Sequence, residues 1–247
     1  QQRGETIQQN VVASITGDTG FHTPWAESNL AASFGLEYRR DELNSSVDAA
    51  FASGDGAGQG GPTLPLSGHT DAFEFFTEAR LPLVEGAPWA DLLAIDAAYR
   101  YSNYDTGIQT DTYKVGAEWA PMEDIRFRAS FQHAVRAPNI IELFGAQGAG
   151  LFNLGFDPCN RTGPGPLPIP AQCIGVNPWQ TAAPQSNLNN PAGQYNLLGG
   201  GNPNLSPEAA DTTTLGIVFT PNFIPGFSLS VDYFNIRIED TVTIVQP

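Results

Sequence analysis

Apolar and polar residues alternate along most of this chain with a period of two. Between positions 30 and 40, Leu30, Ala32, Phe34, Leu36 and Tyr38 share one parity, and Ser33, Gly35, Glu37 and Arg39 share the other. Successive side chains of a strand point to opposite faces, so each such segment predicts a strand with one apolar and one polar face. The pattern returns with Phe73, Phe75, Ala79, Leu81 and Leu83 against Glu74, Glu78 and Arg80, then with Leu93, Ile95, Ala97, Tyr99 and Tyr101 against Asp96 and Arg100. It continues with Tyr113, Val115, Ala117 and Trp119 against Lys114 and Glu118, and with Ile125, Phe127, Ala129 and Phe131 against Arg126, Arg128 and Gln132. A last pair runs through Leu215, Ile217 and Phe219, then Phe227, Leu229, Val231 and Tyr233, while an opening segment over 7–16 alternates weakly through Val11, Ala13 and Ile15. About eight strands are expected.

Alternation alone also describes a soluble β-sandwich, whose apolar faces close on a dry core. Three features favour a membrane-spanning β-barrel instead. The alternation persists for about 9 to 13 residues, which suits a tilted membrane-crossing strand better than the common strand of about 5 to 6. Short connections (18–27, 85–89, 120–124, 221–226) alternate with longer ones (44–70, 103–109, 137–207), as short periplasmic turns alternate with long extracellular loops. Finally, Trp25, Trp89 and Trp119 lie beside short connections and Tyr101 and Tyr104 at the opposite strand end, the places of two interfacial aromatic girdles.

Composition fits this assignment. No run of 18 or more apolar residues occurs, so no transmembrane helix is expected, and a mean hydropathy of -0.20 suits a barrel with a polar lumen. The formal net charge of -15 excludes a nucleic-acid partner, which calls for clustered Lys and Arg. Energy assigns the faces: a Lys or Arg on lipid near the midplane costs roughly 2–4 kcal/mol. Glu37, Arg39, Glu74, Glu78, Arg80, Asp96, Arg100, Lys114, Glu118, Arg126 and Arg128 are therefore expected to face the lumen.

Candidate chemistry is sparse. His22, His69 and His133 lie far apart without ligand spacing, and no phosphate-binding loop, zinc-protease helix or nucleophile elbow is present, so neither an enzyme nor a metal or cofactor site is expected. The glycine runs at 54–61 and 199–201 fall in connections and open no phosphate-binding helix. Cys159 and Cys173 both lie in the longest connection, flanking Pro164, Pro166, Pro168 and Pro170. They are either free or, most simply in an exported loop, joined as a disulfide. Aromatic residues of the long connection, namely Phe144, Phe152, Phe156, Trp179 and Tyr195, are candidates to stack on a ligand or to pack the loop on itself.

Strand direction has a further consequence. With short turns on the periplasmic side, eight strands bring both chain ends to the extracellular side. A complete barrel has both ends periplasmic, so the expectation is a portion of a larger barrel. The lack of a signal peptide before Gln1 and of a closing aromatic-ended strand after Val245 points the same way.

The stretches FRASFQHAVRAPNIIELF from Phe127, GNPNLSPEAADTTTLGIVF from Gly201 and FSLSVDYFNIRIEDTV from Phe227 together resemble the β-barrel of TonB-dependent outer-membrane receptors. FGLEYRRDEL from Phe34 and AYRYSNYDTGIQTDTYKVGAEWAPMEDIRFRAS from Ala98 resemble earlier strands of the same barrel. The resemblance rests on order as well as content. Arg136, Ala137, Pro138, Glu142 and Leu143 precede the long loop, and Asn202, Pro203, Asn204, Leu205, Pro207 and Glu208 follow it. Asp157, Pro158, Cys159 and Cys173 resemble the loop disulfide of many such receptors.

The resemblance implies an all-β fold, an antiparallel transmembrane segment of a roughly 22-stranded barrel in the outer membrane of a Gram-negative bacterium. It further implies import of a scarce nutrient (iron-siderophore, vitamin or oligosaccharide), driven by the TonB complex acting on a plug. The plug and TonB box lie outside this chain, so their partners, and salt links between the wall and the plug, are implied only for a whole receptor. A passive porin and a soluble all-β binding module are the rival functions. Pro138, Pro203 and Pro207 are expected to hand strands over to loops at the rim, because proline donates no ladder hydrogen bond and restrains its predecessor.

Overall fold

The computed structural model describes residues 1–56, 61–153 and 192–243. Eight strands form one antiparallel sheet: β1 (Gln2–Asp18), β2 (Ala31–Val47), β3 (Leu66–Ala87), β4 (Ala90–Tyr104), β5 (Gln109–Met122), β6 (Ile125–Arg136), β9 (Glu208–Phe219) and β10 (Leu229–Glu239). They lie side by side in chain order, β1-β2-β3-β4-β5-β6-β9-β10. The order does not return on itself, so β1 and β10 are its outer strands. Eight long strands in one continuous sheet, as in a segment of a barrel wall, replace the sandwich alternative.

The strands outrun the alternating segments at both ends. β3 has 22 residues and β1 and β2 have 17 each, because ladder bonds continue after the apolar alternation ends. At the short-turn end two prolines interrupt the ladder. The β3–β4 register shifts between Pro82 and Val84, and the β5–β6 register shifts between Trp119 and Met122, around Pro121. Proline cannot donate to a ladder and is confined to edges and bulges. The shift reverses parity, so Val84 opposes Leu93 and Leu83 becomes the extra residue instead of the last of its apolar set.

Large apolar side chains crowd one face of this sheet and remain exposed: Phe73 56%, Val115 55%, Leu215 53% and Val231 62%. Among the described residues the buried apolar set is Ala26, Ala72, Ala90, Ala94, Ala120, Ile140 and Leu143, too small to form a dry core. A continuous apolar face of this extent needs an apolar solvent or partner to cover it. Trp25, Trp89 and Trp119 gather at the short-turn end, where the Trp119 indole donates to the Trp89 carbonyl at 3.1 Å. Tyr104 departs from the girdle expectation. It shares parity with Arg100 and turns toward the charged face, next to Arg39.

The connections hold structure that alternation does not reveal. Helix α1 (Ala49–Ser53) follows β2, with Asp48 accepting the Phe51 N–H at 3.0 Å and Gly54 as its left-handed cap. Helix α2 (Ile140–Phe144) follows β6, and a hairpin of β7 (Gly148–Asn153) and β8 (Gln194–Gly199) occupies part of the 137–207 connection. The chain divides into two compact units: one of Gln1–Arg3, Ser45–Pro65 and Ala146–Gly201, the other of Gly4–Asn44, Leu66–Gly145 and Asn202–Pro247. The second unit holds α2 and the eight-stranded sheet apart from residues 2–3 of β1 and 45–47 of β2.

Candidate functional site

The charged face of the sheet is a chain of ion pairs. On β4, Arg100 donates to Glu37 of β2 at 3.0 Å and to Glu74 of β3 at 2.8 Å, and the Ser102 hydroxyl donates to Glu74 at 2.5 Å. The Arg100 guanidinium also lies over the Phe76 ring at 5.1 Å from its centroid, a cation–π placement that holds it flat against the wall. Glu74 is only 2% exposed and Glu37 8%; carboxylates so buried need the pairing they have.

The next group crosses more strands. Arg80 of β3 reaches past β4 to Glu118 of β5 at 2.7 Å, and Arg126 of β6 meets the other Glu118 oxygen at 3.0 Å. Lys114 pairs with Asp96 at 3.3 Å, and Arg39 with Asp41 at 3.3 Å. Glu78 lines a recess of about 300 Å³ with Arg80, Asp96 and Lys114. Arg128 of β6 binds Asp232 of β10 at 2.7 Å across the intervening β9. That span is open because the residue between them is Gly216, whose register partners are Arg128 and Asp232. A Cβ at Gly216 would lie 2.1 Å from the Asp232 carboxylate and 2.7 Å from Arg128 Nε. All eleven charged residues named from the sequence share this face; Ser102, Phe76, Gly216, Asp41 and Asp232 belong with them and were identifiable by parity alone.

The motif residues on either side of the long connection come together at the other end of the strands. Arg136 donates to Glu208 at 2.7 Å and, with both terminal nitrogens, to Glu142 at 3.0 and 3.1 Å. Glu142 also accepts the Asn139 N–H at 2.7 Å, while the Asn139 side chain accepts the Glu142 N–H at 2.9 Å, closing a capping box on α2. Pro138, immediately before this cap, favours extended backbone at Ala137. Ile140 and Leu143 are buried. Gly68 on β3 makes room for Ile140 and Phe144, since a Cβ there would stand 3.0 Å from Ile140 and 3.1 Å from Phe144. The returning limb docks on the same helix: the Asn202 N–H donates to the Glu142 carbonyl at 2.8 Å, and the Asn202 side chain accepts the Asn204 N–H at 3.0 Å. Leu205 then donates its N–H to the Asn202 carbonyl, and the following Pro207 leads into β9 at Glu208. The Arg136 guanidinium, before all else, holds the Glu142 carboxyl below the usual carboxylate range, against partial burial that works the other way.

Other residues named from the sequence are placed differently. Phe152 and Tyr195 face each other across the β7–β8 hairpin with ring centroids 5.8 Å apart, and Phe144 closes α2 partly exposed. Phe156, Trp179, Cys159 and Cys173 lie outside the described residues. His69, Asp71 and Asp105 bring three ligand atoms within 4.8 Å of one another, which their separation in sequence conceals. Both Asp71 oxygens accept from Arg40, at 3.2 and 3.1 Å, so arginine already supplies the counter-charge. His133 stacks on Tyr113 and bonds Asp211 at 2.7 Å.

Exposed apolar residues on one face, interlocked charges on the other and motif residues joined at one rim describe the wall of a large barrel. The family model for the TonB dependent receptor-like β-barrel matches residues 2–247. The chain belongs to the TonB-dependent receptor β-barrel family. Solved structures similar to this barrel segment include a ferric enterobactin receptor (PfeA) variant from Pseudomonas aeruginosa in complex with enterobactin, with 15% identity and a TM-score of 0.59 over 95% of this chain and 27% of that one. The siderophore receptor PirA from Acinetobacter baumannii is similar with 14% identity and a TM-score of 0.57 over 97% of this chain and 28% of that one. PirA from Pseudomonas aeruginosa gives 14% and 0.56 over 94% and 32%. No curated protein matches the sequence. The TonB-dependent receptor segment thus spans about a third or less of the chains whose fold it shares.

Proposed function

We propose that this chain forms part of the wall of an outer-membrane receptor that imports a scarce nutrient, with energy supplied through TonB. The observation that carries the proposal is the segregation of faces within a family-matched barrel. Leu215, Val115 and Phe73 stand exposed on one side, while Glu37, Glu74 and Arg100 interlock on the other. In water the first face would drive aggregation; in a bilayer it is solvated. The charged face then lines the lumen, where paired side chains give a plug domain a polar surface to slide against. Extracellular loops, the 137–207 connection foremost, supply ligand contacts. The cargo is an iron-siderophore, a vitamin or an oligosaccharide.

The test uses the intact gene in its own bacterium. Deletion should abolish uptake of one of the three nutrient classes, supplied as radiolabelled ferric siderophore, cobalamin or oligosaccharide, and a protonophore should abolish it in the undeleted strain. Uptake lost on deletion yet indifferent to the protonophore would make the protein a passive channel. Recovery of the protein in the soluble fraction would overturn both readings.

A further inference from the structure

We infer that Arg136 is a latch joining three separate chain passages at the rim, so that the start of the long connection, its return before β9 and the passage after β10 are held together. One guanidinium serves two carboxylates at once, Glu142 on α2 and Glu208 at the start of β9. Each carboxylate is in turn bonded to backbone. Glu142 accepts the Asn139 N–H, and the second Glu208 oxygen accepts the Val242 N–H at 2.6 Å, beyond the end of β10. The backbone turns sharply just before that bond, with Asp240 at φ 54°. The Asn202 N–H on the Glu142 carbonyl adds the returning limb. One guanidinium thus holds Glu142 and Glu208, and the returning limb and the post-β10 passage bond in turn to those two residues.

Exposure gives this joint the character of a latch. The Arg136 side chain is 46% exposed, while Glu142 and Glu208 are 22% and 15% exposed. Water can replace each bond as it opens, which a fully buried charge cluster would forbid. The planar fork binds Glu142 with two parallel N–H bonds while its Nε serves Glu208, an arrangement that a lysine ammonium cannot reproduce. The inference concerns the mechanics of the rim and stands independently of the nutrient imported.

Hydrogen exchange on the intact receptor in detergent, read at the Asn202 and Val242 amides, tests it. Neither amide bonds to Arg136 itself. Arg136→Gln should speed exchange at both sites by about tenfold or more, while β4 and β5 amides keep their protection. Arg136→Lys, which keeps the charge but loses the fork, should give the same pattern in weaker form and serves if the glutamine variant does not assemble. Heat-modifiable migration in gels reports barrel assembly for each variant. Faster exchange at Asn202 alone, or unchanged exchange at both amides in an assembled barrel, would overturn the latch.

Discussion

At the level of single residues, the glycine at 216 decides whether an ion pair spans three strands. Arg128 and Asp232 are not neighbours in the ladder; they meet because Gly216 leaves the space above β9 empty. The atoms that an added methyl would strike are the ends of flexible side chains, so Gly216→Ala should leave the backbone in place and displace the pair. In urea unfolding of the lipid-reconstituted receptor, Arg128→Gln should lower the midpoint in the natural background and change little once Gly216→Ala is present, the signature of a shared interaction. Glu142 adds a pH dependence whose sign follows from its lowered carboxyl. A group with a depressed folded value contributes stability above its unfolded pKa of about 4.3 and loses it as pH falls through the folded value. The protection factors of the Asn139 and Leu143 amides, exchange rates taken relative to those of an unfolded chain at the same pH, should therefore hold from pH 7 to about 5 and fall as the pH drops below the unfolded carboxyl's pKa.

At the level of strands, the alternation of side chains is an energetic statement that can be tested face by face. Leu215→Lys places a charge on the apolar face of β9 and should cost about 2–4 kcal/mol, whereas Thr212→Lys, of the charged parity, should stay within about 0.5 kcal/mol; equilibrium unfolding into vesicles measures both. Period two made the eight sheet strands and their faces legible in the sequence, because a buried-versus-solvated choice is imposed on every residue of such a strand. Strand ends were less legible. Beyond the apolar band both faces are polar, so β3 could run 22 residues without any hydropathic mark. Helix α2 carries a readable sign, Asn139 followed three residues later by Glu142, but five residues are too few for a helical hydrophobic period to emerge. The Gly-rich β7 strand lacks a period for want of side chains. The motif order set Arg136 before the long connection and Glu208 after it, but their joining was not legible there, because it depends on strands β6 and β9 being neighbours, which only the fold supplies.

At the level of the molecule, the sheet reconciles an acidic, weakly hydrophilic composition with membership of a family of outer-membrane barrels. The charged face is close to neutral because its cations pair with its carboxylates, so most of the chain's net charge of -15 falls at the strand ends and in the connections. The most direct test labels successive residues of β5 singly, from Tyr113 to Trp119, with a nitroxide in the receptor embedded in lipid vesicles, and compares collisions with oxygen and with a water-soluble nickel chelate. Oxygen contact should peak at 113, 115, 117 and 119 and fall at 114, 116 and 118, with the chelate showing no peak at the odd positions. Equal oxygen contact at odd and even positions, or chelate contact that peaks at Val115, would contradict a lipid-facing wall.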